Sequence, residues 1–169
     1  MTENDGNKQE RKILVLEDEG PLRDVITELL DYRGYTVLSV SDGLEGLEVL
    51  RSLNEDKPGV IATDVLMTTM HGDAFLKNVI DTYFSEGYHP AVLVMSGTPD
   101  IEQTKSALRL AHEMNLTALL ATGMPLDLVD STFTTPTFQL LKKPFLLTDL
   151  TERVDKLYNL SQANYKQIG

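Results

Sequence analysis

ILVLEDE, residues 13–19, reveals how this chain is built. Its four apolar residues form an unbroken run without polar alternation, which is typical of a strand buried on both faces of a parallel sheet. Pro21 then stands where the first turn of a helix accepts proline, and Gly34 follows the last apolar residue at helical spacing. A buried strand followed at once by an amphipathic helix predicts a β–α unit.

The same alternation continues outward from this stretch. Four further apolar runs are predicted as strands, at residues 35–40, 60–64, 91–95 and 138–141. Each is followed by apolar residues at helical spacing, and the closing helix is predicted over residues 147–160. Five strand–helix units predict an α/β fold, a doubly wound five-stranded parallel sheet with helices on both faces.

Composition narrows the classes of function. The chain has 169 residues, a formal net charge of -11 and no cysteine, so nucleic acid binding, disulfides and thiolate metal sites are not expected. No apolar run approaches the roughly 18 residues of a membrane span, and the first dozen residues do not resemble a signal sequence. We expect a cytoplasmic protein with one domain at 12–160, flanked by a flexible tail at 1–11 and a tail at 161–169.

Five chemically active side chains fall at the predicted strand ends: Glu17, Asp18, Asp64, Ser96 and Lys143. In such sheets, ligands bind beyond the carboxyl ends of the strands. Two carboxylates about 4 Å apart repel by about 4 kcal/mol at an effective dielectric constant near 20. A hard divalent cation relieves that repulsion, and oxygen ligands favour Mg²⁺, Mn²⁺ or Ca²⁺ over Zn²⁺. The pattern predicts a cation site beside an aspartate able to accept a phosphoryl group.

Four motifs in order resemble the signatures of the response-regulator receiver family of two-component signalling. They are residues 13–19, the segment DVLMTTMHG at 64–72, Met-Ser-Gly at 95–97 and Lys-Pro-Phe at 143–145. The resemblance covers about residues 12–158. It implies a flavodoxin-like receiver with strand order 2-1-3-4-5. The implied function is not enzymatic turnover but acceptance of a phosphoryl group from a sensor histidine kinase or phosphotransfer protein, which switches protein–protein interactions.

The resemblance also implies residue roles. Asp64 matches the phosphorylated aspartate. Mg²⁺, for which Mn²⁺ can substitute, would be held by Glu17, Asp18, Asp64 and the backbone carbonyl of Leu66. The phosphoryl group would be bound by Lys143 and Ser96, with Gly97 as the small residue that leaves access. Pro144 matches a cis proline.

Three departures separate this chain from the family pattern. Thr68 stands where proline is usual, and Leu140 stands where an aromatic switch residue is usual. Ser96 and Lys143 are 47 residues apart, roughly double the usual spacing, which points to an insertion at about 115–136. That segment is too apolar for a free loop; an extended helix with a packed loop and an added strand both stay open. We expect it to reshape the output surface.

Two other functions stay open at this stage. A degenerate receiver would serve as a docking module without accepting phosphate. An aspartate-nucleophile phosphatase of the haloacid-dehalogenase type is disfavoured, because its Asp-x-Asp pattern does not occur in residues 17–19, Glu-Asp-Glu. The sequence does not identify the output protein, and it leaves a homodimer open.

Overall fold

The computed structural model describes residues 10–121 and 140–163. The strands are β1 Lys12–Leu16, β2 Thr36–Val40, β3 Val60–Asp64, β4 Ala91–Ser96 and β5 Leu140–Lys142. The helices are α1 Gly20–Tyr32, α2 Gly43–Ser52, α3 Gly72–Tyr83, α4 Glu102–Ala121 and α5 Leu147–Ala163, with a 3-10 turn at Phe84–Glu86. Within these described ranges, no helix is both long and apolar enough to cross a membrane.

All neighbouring strands are parallel, in the order β2-β1-β3-β4-β5. The predicted doubly wound sheet and its strand order are therefore confirmed. Alternate residues of β1 face opposite sides, so Ile13 and Val15 belong to one buried cluster, and Leu14 and Leu16 to the other. The first cluster is closed by α1 and α5, and the second by α2, α3 and α4.

At both ends, residues outside the predicted domain bounds of 12 and 160 contact the rest of the fold. Helix α5 continues to Ala163 instead of ending near Leu160, because Ser161 is buried against Gly59: a Cβ added to that glycine would lie 2.6 Å from the serine Oγ. At the other end, Arg11 was assigned to the flexible tail. Its guanidinium instead lies 4.0 Å from the centre of the Tyr35 ring. Residues 1–9 and 164–169 of the predicted tails lie outside the described residues.

Helix α4 explains part of the unusual spacing before β5. It extends to Ala121, so residues 115–121 of the predicted insertion are helical. An extended helix with a packed loop was one of the two alternatives that the sequence left open. Residues 122–136 lie outside the described part of the chain, as does Phe138, where β5 was predicted to begin.

A buried asparagine fixes the far end of α4 to the sheet. Asn115 accepts a hydrogen bond from the backbone N–H of Val92 at 2.6 Å and donates one to the Val92 carbonyl at 3.0 Å. Its side-chain amide thus supplies both partners that a neighbouring strand would offer at this point of β4. The described pairing of β5 with β4 begins two residues later, at Val94.

Candidate functional site

The carboxyl ends of four strands bring the predicted residues to one edge of the sheet. Glu17 and Asp18 follow β1, Asp64 ends β3, Ser96 ends β4, and Lys143 follows β5. Strand order places β1 and β3 side by side, so Asp64 and the two acidic residues that follow β1 lie at neighbouring strand ends. We call Glu17, Asp18, Asp64 and Lys143 the acidic site.

The three carboxylates can share a cation. Each of Glu17, Asp18 and Asp64 offers one oxygen, and these atoms lie within 4.8 Å of one another. Burial raises the pKa of Glu17, and the neighbouring Asp64 carboxylate acts in the same direction, although Lys143 opposes both. One ammonium does not balance three carboxylates. The donor set therefore fits a hard divalent cation such as Mg²⁺.

Lys143 bridges two of these carboxylates. Its Nζ lies 2.6 Å from Oε2 of Glu17 and 3.0 Å from Oδ2 of Asp64. Burial alone would lower the pKa of Lys143, but the hydrogen bonds to the two carboxylates outweigh it and raise the pKa, so the side chain stays an ammonium ion. Its backbone N–H donates to the Ser96 carbonyl at 2.8 Å, and the Lys143–Pro144 peptide bond is cis.

The loop after β3 presents the Asp64 carboxylate. Oδ1 of Asp64 accepts a hydrogen bond from the N–H of Val65 at 2.7 Å, while Oδ2 faces Lys143. Gly72 closes the loop: its N–H donates to the Val65 carbonyl at 2.8 Å, and a Cβ there would lie 2.2 Å from the Asp64 carbonyl. Leu66 lies at the open rim with 40% of its side chain exposed. A ligand role for its backbone carbonyl stays a prediction.

A histidine supports the loop at a point where the family usually has a rigid proline. Thr68 is exposed, whereas Nδ1 of His71 accepts a hydrogen bond from the Met67 N–H at 3.2 Å. From the sequence, no role was assigned to His71. The only available signal was its position at the end of the loop that follows Asp64.

Ser96 is held in a small hydrogen-bonded network. Its side chain is 1% exposed, and its Oγ lies 3.0 Å from Oγ1 of Thr104 on α4. Gly97 beside it is exposed, and a Cβ there would contact only the Cβ of Lys143, at 3.9 Å. Leu140 is partly buried against the cluster closed by α2, α3 and α4. Sequence reasoning missed Thr104, because no motif marks a threonine in the first turn of α4.

Comparison with protein families and curated proteins agrees with this arrangement. The model of the response regulator receiver domain matches residues 13–117. The Regulator of RpoS from Escherichia coli K12 is 29% identical over 103 residues, which cover 61% of this chain and 28% of that protein. The chain thus spans about a quarter of the length of this curated relative.

Solved structures show the same fold. The signal receiver domain of an HD domain-containing protein from Pseudomonas fluorescens Pf-5 superposes with a TM-score of 0.67 at 15% identity, covering 92% of this chain and 99% of that one. A response regulator receiver domain protein from Methanospirillum hungatei JF-1 gives 0.64 at 16% identity, covering 90% and 97%. At these identities the likeness concerns the architecture alone.

Proposed function

Because the chain belongs to the response regulator receiver domain family of two-component signalling, we propose that it accepts a phosphoryl group on Asp64 and thereby switches its binding to other proteins. The observation that carries this proposal is the contact of Lys143 with Asp64, at 3.0 Å, inside a cluster of three carboxylates. An aspartate at the end of a strand does not by itself indicate phosphoryl transfer. An aspartate paired with a partly buried ammonium and two further carboxylates suits phosphoryl transfer.

The Asp64 carboxylate is the nucleophile. One of its oxygens bonds to phosphorus as the bond from phosphorus to the histidine nitrogen of the donor breaks, and the imidazole keeps that electron pair. The product is an acyl phosphate. Asp64 is nearly buried, with 10% of its side chain exposed, so the donor phosphoryl group must approach it from the carboxyl ends of the strands. The donor is a sensor histidine kinase or a phosphotransfer protein.

Three carboxylates of the acidic site would hold Mg²⁺, with Mn²⁺ as a substitute: Glu17, Asp18 and Asp64, joined by the backbone carbonyl of Leu66. When bound, the cation neutralises charge on the carboxylates and the transferred phosphoryl oxygens. Glu17 contributes a fixed ligand, since it is fully buried and anchored by the N–H of Glu19 at 3.3 Å and by Lys143.

Two side chains would bind the phosphoryl oxygens. Lys143 supplies a positive charge already aimed at Asp64. Ser96 supplies a hydroxyl at the end of the neighbouring strand, and exposed Gly97 leaves the approach open. A preorganised donor such as Lys143 stabilises charge that develops on the transferred group.

The output is a change in protein binding. The net charge of -11 disfavours direct contact with nucleic acid phosphates. An output protein that reads the surface near α4 and β5 is therefore the expected partner, and a second copy of the chain is one form that partner can take.

Intact-mass measurement after incubation with acetyl phosphate and Mg²⁺ tests the proposal. We expect one phosphate per chain, and none when the Mg²⁺ is chelated. Absence of labelling under both conditions would favour the docking module. Steady turnover of p-nitrophenyl phosphate would instead indicate an aspartate-nucleophile phosphatase.

A further inference from the structure

Three hydrogen bonds link the Ser96 side chain, Thr98 and Thr104 of helix α4. Oγ of Ser96 lies 3.0 Å from Oγ1 of Thr104, which is fully buried in the first turn of α4. The N–H of Thr98 donates to Oγ of Ser96 at 3.1 Å, and Oγ1 of Thr104 donates to the Thr98 carbonyl at 2.8 Å. The three bonds close a ring between β4, the following loop and α4.

The donor inventory fixes which hydroxyl gives its proton to which acceptor. Each hydroxyl carries a single proton, and a carbonyl can only accept. The proton of Thr104 therefore goes to the carbonyl of Thr98. The remaining contact between Ser96 and Thr104 then has Ser96 as its donor. The only proton of the Ser96 side chain is committed to Thr104.

We propose that Thr104 is a positioning residue that keeps Ser96 in its resting orientation, so that a phosphoryl group must compete with Thr104 for the Ser96 proton. This inference rests on the proposed function of Asp64. When Ser96 donates to a phosphoryl oxygen, its bond to Thr104 breaks. The phosphorylation signal then passes directly from β4 to the first turn of α4.

Two features of the chain are consistent with a signal that passes from Ser96 to the first turn of α4. Leu140 is apolar and cannot form the hydrogen bonds that a tyrosine could, so a polar link from Ser96 to α4 supplies a connection that does not involve that position. At the other end of α4, Asn115 keeps its two bonds to Val92, and neither bond involves Ser96. The release is therefore confined to the amino-terminal part of the helix.

The variant Thr104→Val tests the competition, because valine has nearly the same shape and lacks the hydroxyl. The probe is beryllium fluoride with Mg²⁺, which mimics the phosphoryl group on a carboxylate. We expect its affinity to rise about two- to tenfold, the change for removing one neutral hydrogen bond from the resting state. Thr104→Ser should restore the wild-type affinity. In a Ser96→Ala background, Thr104→Val should have no effect.

The outcomes separate this inference from the function on which it rests. A wild-type chain that does not bind beryllium fluoride overturns both. Normal wild-type binding with unchanged affinity in Thr104→Val, or a rise that persists in the Ser96→Ala background, overturns only the role of Thr104.

A measurement on the wild-type chain guards against variants that fail to fold. Hydrogen exchange at the Thr98 amide should accelerate when beryllium fluoride is added, because the Ser96 side chain must turn toward the phosphoryl mimic, and this moves its Oγ away from the Thr98 N–H. The side-chain amide of Asn115 should keep its protection. Unchanged exchange at Thr98 in a chain that binds beryllium fluoride would overturn the inference.

Discussion

Two charged clusters, one at each end of the sheet, contain carboxylates and cations in opposite proportions. At the carboxyl ends, three carboxylates of the acidic site share one ammonium. In one cluster at the amino ends, two guanidinium groups share one carboxylate: Asp155 on α5 pairs with Arg11 at 2.8 Å and with Arg33 at 2.6 Å, and it accepts a hydrogen bond from the Tyr35 hydroxyl at 2.6 Å. We call Arg11, Arg33, Tyr35 and Asp155 the arginine cluster.

The charges of the arginine cluster stabilise the fold by themselves, whereas the acidic site has an excess of negative charge that a bound cation would balance. Burial would raise the pKa of Asp155, but its bonds to Tyr35, Arg33 and Arg11 outweigh this and lower it. For Glu17 the balance is reversed, and burial with a neighbouring carboxylate raises the pKa. An acidic group with a lowered pKa stabilises the fold near neutral pH, whereas one with a raised pKa destabilises it until something else supplies positive charge.

The first prediction, which has the largest expected effect, concerns phosphorylation at the acidic site. Asp64→Asn removes the nucleophilic oxygen, so labelling by acetyl phosphate with Mg²⁺ should be abolished in an intact-mass measurement. The matched control is Asp155→Asn, the same substitution in the arginine cluster, which should label like the wild type. Equal labelling of wild type and Asp64→Asn would exclude Asp64 as the acceptor.

The second prediction concerns Mg²⁺ without phosphate. A ligand that binds only the folded state stabilises it by about 2.7 kcal/mol when present at 100 times its Kd. Glu17→Gln with Asp18→Asn should eliminate this stabilisation, measured as the shift of the melting temperature by Mg²⁺. The metal-free melting temperature of the double variant should rise, because buried like charges no longer repel one another.

Asp155→Asn again serves as the control for the second prediction, because the Mg²⁺ shift should survive in it. A shift that survives in the double variant as well would mean that the cation binds elsewhere on the chain.

The sequence predicted the strands and the meeting of the acidic-site residues at one edge of the sheet, for a common physical reason. A parallel sheet buries its strands as continuous apolar runs and presents whatever follows them at one edge, so local order along the chain already fixes which side chains meet. Residue roles that depend on contacts between distant elements were not predictable. Arg11 and Asp155 are 144 positions apart, and no local pattern links them.

Helix α4 also makes contacts with distant residues that the sequence alone does not predict. It continues past Asn115 to Ala121, and the buried side-chain amide of that asparagine bonds to Val92 on β4. In sequence this is one polar residue in an apolar segment. Thr104 is comparable, because its importance comes only from its distance to Ser96.

The third prediction measures how much the arginine cluster contributes to stability. Asp155→Asn keeps the shape and removes the charge, so it should lower the free energy of unfolding by about 1–2 kcal/mol. The estimate is modest because 30% of the Asp155 side chain is exposed and water screens its charge. Asp81→Asn, which breaks an exposed pair with Lys77, should change stability by about 0.3–0.5 kcal/mol. Chemical denaturation measures both, and equal effects would make the arginine cluster an ordinary surface pair.

The smallest effect is a difference in pH dependence between the two ends, measured by denaturation in metal-free buffer. Asp155 has a lowered pKa when folded, so its contribution is present above the ordinary value of about 3.9 and is lost as pH falls through the lower folded value. Glu17 has a raised pKa, so its contribution is present below the ordinary value of about 4.3 and is lost as pH rises through the folded value.

Acidification from neutral pH should therefore first stabilise the wild type through Glu17 and then destabilise it through Asp155. The slope for each proton is at most about 1.4 kcal/mol per pH unit. Glu17→Gln should lack the first rise, and Asp155→Asn should show a weaker acid loss. If both variants kept the wild-type dependence of stability on pH, the two clusters would not differ in their effect on stability. Cation binding alone would then distinguish the acidic site from the arginine cluster.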